Sequence, residues 1–344
     1  MNKLPEVIAI TEFKRKKITR QLLISELNME GYNIFTQDLS DNKGRGVLFY
    51  IASDIRVSPL NIPSAFHECM FIQLMGRGPN NHLNQLIIGN IYRSPNSTQA
   101  NDNELCELLH YIQQQFKAPK LIVGDFNFSN IKWYHNQGFG ASARCSNLLD
   151  NELKFVNVLR ENFLIQHVVE PTRQRGLDTP HTLDLIISTD DCLSEIEHLS
   201  PLGLSDHSVL NFSYQFYKDN VKTEDKFKLD KGDYVKLRAF LDINWDEVLD
   251  VSNNTIDEMW EIFKQIILEG MNNFIPRVVL LNKKKYYQPF TSELKQLIHK
   301  KHRLWNRWIS SRDRGIYNEY KKVRNKVKSE TIRLSQHEQH RVSM

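Results

Sequence analysis

Leu121-Ile-Val-Gly-Asp-Phe-Asn127 is an apolar run that ends in a carboxylate and an amide two positions apart. Side chains on a strand repeat every two residues, so Asp125 and Asn127 leave the strand end on one face. Placed together, a carboxylate and an amide can orient a water and hold a phosphate oxygen. A plain strand followed by an Asx turn fits the same letters, and this segment alone leaves both readings open.

Working outward, further short runs rich in Ile, Val, Leu and Phe read as strands at 7–10, 46–51, 71–74, 85–92, 183–187 and 208–214. Between them, Asn101 or Asp102 can cap a helix running through Leu105, Leu108, Leu109 and Ile112, and 145–163 repeats apolar residues at helical spacing. Strands mixed with helices over about 215 residues indicate an α/β or α+β sandwich. After this body, residues 216–240 are Lys- and Asp-rich and fit an extended linker. Residues 241–276 read as an acidic helical connector, with an amphipathic helix from 245 to 274, and 277–344 as a basic helical segment with one or two long helices.

The net charge of +4 averages two unlike parts. Residues 1–276 carry 27 Lys and Arg against 36 Asp and Glu, a net −9, whereas 277–344 carry 18 against 5, a net +13. Such an asymmetry suits a basic segment that sits on nucleic acid or another anionic partner. The 344 residues contain no apolar run long enough to span a membrane and no signal-peptide pattern, so no membrane partner and an intracellular protein are expected. Cys69, Cys106, Cys145 and Cys192 lack the spacing of a zinc site or a disulfide framework and read as buried free thiols.

Polar residues recur at other strand ends. His181-Thr-Leu-Asp184 places one acid at the start of an apolar strand, where a buried carboxylate is costly unless paired, and an imidazolium is its natural partner. A capping or turn Asp is the alternative. Leu204-Ser-Asp-His207 puts a carboxylate and an imidazole at another strand entrance, where His207 can act near neutrality; a simple turn fits as well. Val7-Ile-Ala-Ile-Thr-Glu12 ends a further strand in a carboxylate suited to Mg²⁺, which is satisfied by one or two acids plus substrate phosphate. In Gly89-Asn-Ile-Tyr-Arg-Ser-Pro-Asn96 a strand runs into a turn, bringing the Tyr92 hydroxyl and the Asn96 amide to phosphate oxygens.

With Trp133, Pro171-Thr-Arg173 and Pro201-Leu-Gly-Leu-Ser-Asp-His207, these pieces follow one another in the order of a known family. The chain resembles the endonuclease/exonuclease/phosphatase superfamily, and within it the abasic-endonuclease-like domain of non-LTR (LINE-type) retrotransposons, over residues 5 to about 214. The resemblance implies a four-layer sandwich of two packed β-sheets flanked by helices over residues 1–215, followed by the helical C-terminal extension. It implies Mg²⁺ as cofactor, with Mn²⁺ as a substitute, held by Glu12 and Asp206. Asp125 would orient or deprotonate the attacking water, Asn127 would contact the phosphate, and Tyr92 and Asn96 would hold it, with Arg93 and Trp133 as further DNA contacts. His207, oriented by Asp184, would stabilise developing charge.

The implied activity is Mg²⁺-dependent nicking of DNA that leaves a 3′-hydroxyl. The implied partners are DNA and, through the basic segment, the element's own RNA, in the nucleus. Family members begin with an additional strand bearing an Asn and continue into a reverse transcriptase. Neither that strand nor a Tyr-x-Asp-Asp-like motif occurs here, so a fragment of such an element is expected. A phosphatase acting on a small phosphate ester and an inactive remnant that only binds nucleic acid are the competing readings.

Overall fold

A computed structural model of the chain describes residues 4–13, 24–38, 46–77, 83–136, 140–145, 148–174, 178–203, 205–216, 226–250, 252–278 and 291–342. The elements of the body are β1 (Val7–Thr11), β2 (Tyr32–Asp38), β3 (Gly46–Ala52), β4 (Arg56–Leu60), β5 (Cys69–Arg77), β6 (Leu83–Tyr92), α1 (Gln99–Gln115), β7 (Lys120–Asp125), β8 (Trp133–His135), β9 (Ala141–Ala143), α2 (Asp150–Glu161), β10 (Ile165–Gln166), β11 (Asp184–Ser188), β12 (Glu197–Leu199) and β13 (Val209–Asn211). Then come β14 (Lys226–Phe227), α3 (Tyr234–Leu241), α4 (Trp245–Leu249), α5 (Ile256–Phe274), β15 (Arg277–Val278), α6 (Ser292–Ser311) and α7 (Arg314–Val342). The chain divides into two compact units, residues 1–219 with 287–344, and residues 220–286.

The first unit is a mixed α/β structure with several β-sheets flanked by helices and a helical C-terminal part. A six-stranded sheet runs in the order β10-β11-β7-β6-β5-β4, and a three-stranded sheet in the order β1-β3-β2. The six-stranded sheet is apolar on both faces, which is why its central strands read as continuous hydrophobic runs. One face packs on α1 and α2 through Ile87, Ile91, Ile122, Leu105, Leu109, Phe155 and Leu159. The other packs on the smaller sheet through Ile72, Leu86, Ile88, Leu121 and Ile186 against Phe49 and Ile51. Helix α1 begins one turn before Asn101, because Thr98 accepts the Asn101 N–H as its cap.

Among the described strands only β6 and β7 pair in parallel, joined by the α1 crossover. Gly124 permits that close pairing: its φ is +144°, and a Cβ there would stand 1.8 Å from the Ile91 carbonyl oxygen. The C-terminal helices α6 and α7 form a hairpin around Leu304, Trp305, Trp308, Tyr320 and Val323. This hairpin belongs to the first unit, where α6 packs against β12.

In the second unit, α3 and α4 pack on α5, with Phe240 against Phe274 and Trp245 against Phe263. The stretch 216–240, expected as extended linker, carries β14 and most of α3, since Asp233 caps a helix whose apolar residues meet α5. The single helix expected from 245 to 274 is broken: Asp250 takes a left-handed conformation and Thr255 with Glu258 forms a capping box that starts α5. Cys69 and Cys106 are buried free thiols, whereas Cys145 and Cys192 are exposed ones. No helix among the described residues is long and apolar enough to cross a membrane.

Candidate active site

Three neighbouring strands of the large sheet deliver one polar row. Tyr92, the last residue of β6, stands beside Asp125 at the end of the parallel strand β7. Asp184, the first residue of β11, is the direct antiparallel partner of Asp125. Like charges directly opposite one another on a sheet are destabilising, and here Asp125 is only 5% exposed. Burial and the Asp184 carboxylate push the Asp125 carboxyl well above the usual carboxylate range, against the opposing pull of His207 and the Asn127 N–H.

His207 closes the row from the loop that joins β12 to β13. Its Nδ1 lies 2.8 Å from Asp184 Oδ2, so Nδ1 carries the proton and Nε2 is left without a partner among the described residues. Burial alone would lower the His207 pKa, but the hydrogen bond and charge of Asp184, with Asp125 and Asp206 behind it, raise it to about 9. The imidazolium is therefore the resting form at neutral pH.

From the smaller sheet, Glu12 follows β1 and accepts the Tyr92 hydroxyl, and its charge acts on Asp125. Glu12 and Asn127 both hold positive φ, 51° and 50°. Backbone strain of this kind clusters where a side chain must be aimed. The Asn127 amide donates to the Arg93 carbonyl at 2.8 Å, which fixes its plane. Asn96 is exposed in the turn that follows β6, free to meet a ligand.

The structure thus brings together Glu12, Tyr92, Asp125, Asn127, Asp184 and His207. It moves two other residues out of the expected roles and pairs a third within the protein. Arg93, expected at the phosphate, is buried in a bidentate ion pair with Asp102 (2.6 and 2.9 Å) and lies over the Phe128 ring, so it bolts the β6 turn to α1. Trp133, expected at DNA, is 7% exposed and packed in the core against the helices. Asp206, expected at the metal, is bound by Arg173 at 3.1 Å through both Nε and a terminal nitrogen and lies outside the close carboxylate group.

Two residues without an expected role position the row. Thr172, 1% exposed, accepts the backbone N–H groups of Leu183 (3.1 Å) and Asp184 (2.9 Å) on its hydroxyl, while its carbonyl takes the Ser208 N–H at 2.7 Å. Asn90, fully buried, donates to the carbonyls of Ile10 and Leu48 and so ties β6 to β1 just before Glu12. Its sequence signal is a lone amide inside an apolar run; that of Thr172 is its place in Pro171-Thr-Arg173, one of the pieces that carry the resemblance. Thr172→Val removes the acceptor for two buried N–H groups and is expected to lower stability by about 1–3 kcal/mol. An unchanged denaturation midpoint would contradict that role.

Ligand atoms of Asp125, Asp184 and His207 lie within 4.8 Å of one another. Two carboxylates forced together in a buried site, with Glu12 nearby, are a donor set whose repulsion a divalent cation relieves. Carboxylate oxygens suit Mg²⁺ and Mn²⁺ alike.

Residues 86–211 match the family model described as endonuclease-reverse transcriptase. No curated protein matches the chain. Among solved structures, the endonuclease domain of TRAS1, a telomere-specific non-LTR retrotransposon, is similar with 14% identity and a TM-score of 0.40, covering 54% of this chain and 81% of that one. The Xenopus laevis APE2 catalytic domain is similar with 13% identity and a TM-score of 0.42, covering 62% and 85%. D. rerio TDP2, complexed with single strand DNA product, is similar with 13% identity and a TM-score of 0.36, covering 59% and 83%.

Proposed function

We propose, from the premise that the 86–211 portion of this chain belongs to the endonuclease/exonuclease/phosphatase superfamily, that the protein is a divalent-metal-dependent endonuclease that nicks DNA. The superfamily's hydrolase fold supports a phosphodiester hydrolase. The observation that carries the finer reading is the row Tyr92, Asp125, Asp184 with His207 oriented by Asp184 and Glu12 facing it.

In this reading Asp125 orients the attacking water and takes its proton. The water oxygen forms its bond to phosphorus as the bond to the leaving 3′ oxygen breaks, and that oxygen takes a proton from bulk water, giving a 3′-hydroxyl and a 5′-phosphate. His207, charged at neutral pH, donates from Nε2 to a phosphoryl oxygen whose negative charge grows in the transition state. Asn127, Asn96 and Tyr92 hold the remaining phosphate oxygens. Glu12, Asp125 and Asp184 would hold a divalent cation, Mg²⁺ or Mn²⁺, which would neutralise charge on the phosphate. The basic stretch 277–344, net +13, adds salt-dependent affinity for DNA and for the element's own RNA.

Substrate class is tested by offering the purified chain supercoiled plasmid and, separately, an inositol phosphate, each with Mg²⁺. The expected result is nicked circles whose ends a DNA polymerase extends without prior phosphatase treatment. Release of phosphate from the inositol ester with an intact plasmid would overturn the DNA reading.

A further inference from the structure

The loop between β12 and β13 carries Asp206 and His207, and two clamps hold it. The clamp on its far leg is the segment 172–174: the Ser208 N–H donates to the Thr172 carbonyl, the Gln174 N–H donates to the Asp206 carbonyl at 3.1 Å, and Arg173 pairs with the Asp206 carboxylate. The near leg is clamped from a hundred residues away. Ser200 is fully buried, its N–H donates to His302 Nδ1 at 3.2 Å, and its hydroxyl lies 2.8 Å from the same nitrogen. Next to it, the Lys301 ammonium donates to the Pro201 carbonyl at 3.3 Å.

Neither contact is incidental to packing. Lys301 is 7% exposed, and burying an ammonium costs free energy unless something accepts its protons. Arg324 nearby adds like charge, and both effects lower the Lys301 pKa. Burial, Lys301 and His299 likewise hold His302 below the ordinary histidine range, which keeps Nδ1 an acceptor for Ser200. Helix α6 lies outside the stretch that matches the nuclease family.

We propose that His302 and Lys301 are positioning residues for His207: helix α6 braces the near leg of the active-site loop, so the C-terminal hairpin sets the geometry of a site to which it contributes no reacting group. The kinetic half of this inference rests on the nuclease reading above; the structural half does not.

The test compares the full chain with His302→Ala, His302→Asn, whose side-chain oxygen can replace Nδ1 as acceptor, and Lys301→Met. Two quantities are measured: hydrogen exchange at the amides of Ser205, His207 and Ser208, and kcat with KM for plasmid nicking in Mg²⁺. In His302→Ala, loop exchange is expected to quicken and kcat to fall, each about tenfold, the size set by losing one hydrogen-bonded anchor. KM stays within about twofold, since no substrate contact is removed. His302→Asn recovers both quantities, and Lys301→Met, which keeps the apolar stem, reproduces the loss should His302→Ala fail to fold.

Folded His302→Ala and Lys301→Met proteins with unchanged loop exchange and kcat would overturn the inference. So would a rise in KM at constant kcat, which marks a substrate contact instead. A wild-type chain that cuts no DNA, yet whose loop loosens in His302→Ala, supports the brace and sinks only the nuclease reading.

Discussion

Replacing Asp125 by Asn is expected to lower DNA nicking by about 10²–10⁴-fold, the range for loss of a positioned acid or base, while making the metal-free protein more stable. The two effects have one cause. Asp125 is buried opposite Asp184, and its carboxyl sits well above the usual range because the ionised form is penalised there. The folded state therefore binds that proton more tightly than the unfolded chain, and stability falls as pH rises from the unfolded value of 3.8 towards the folded one. An Asn keeps the acceptor for the Asn127 N–H but carries no charge. A gain of about 1 kcal/mol or more, roughly 2–4 °C at this domain size, should appear in thermal melts in EDTA. Added Mg²⁺ should stabilise the wild type by mass action and the variant less. A variant that melts lower in EDTA would contradict this account of the site.

His207→Gln is expected to lower kcat by about 10²–10³-fold, the usual size for removing one donor aimed at developing charge, with KM little changed. Gln can still donate to Asp184 but brings no cation. The same substitution changes the pH dependence of stability in EDTA. The folded pKa of His207 is raised from 6.5 to about 9, so the pair with Asp184 contributes fully below about pH 6.5 and is lost as pH rises through about 9. Denaturation midpoints across that window should decline in the wild type and flatten in His207→Gln. Parallel curves would show that His207 is not held by Asp184 as described.

The four central strands of the large sheet, β5, β6, β7 and β11, were legible because they are apolar on both faces, and the ends of three of them announced themselves by single polar residues, Tyr92, Asp125 and Asp184; the outer strands β4 and β10, one mixed in polarity and one only two residues long, were not. What could not be read was their register. The opposition of Asp184 to Asp125, and the reach of Tyr92 to Glu12 across 80 positions, are products of long-range strand pairing that no local pattern encodes. Arg93 misled for a related reason. An arginine at a strand end beside a Tyr and an Asn has the chemistry of a phosphate contact, but the helix that follows turns Asp102 back onto it and removes it from solvent. Trp133 was placed by motif position, whereas its burial is decided by the β8–β9 hairpin folding onto the helical face of the sheet.

The strand at Tyr32–Asp38 lacked an uninterrupted apolar run because, at the edge of the smaller sheet, it mixes polar and apolar residues. The C-terminal basic segment read, by its charge, as helices that sit on nucleic acid or another anionic partner. That average hid the two residues, Lys301 and His302, that turn inward to meet Pro201 and Ser200.

The most direct test of the central claim is conversion of supercoiled plasmid to nicked circles by the purified wild-type chain and by Asp125→Asn, each with Mg²⁺ and with EDTA. The account predicts nicking by the wild type only when the cation is present, and none by the variant. A cooperatively folded wild-type chain that leaves the plasmid supercoiled with Mg²⁺ and Mn²⁺ alike, or an Asp125→Asn protein that nicks as fast as the wild type, would contradict it.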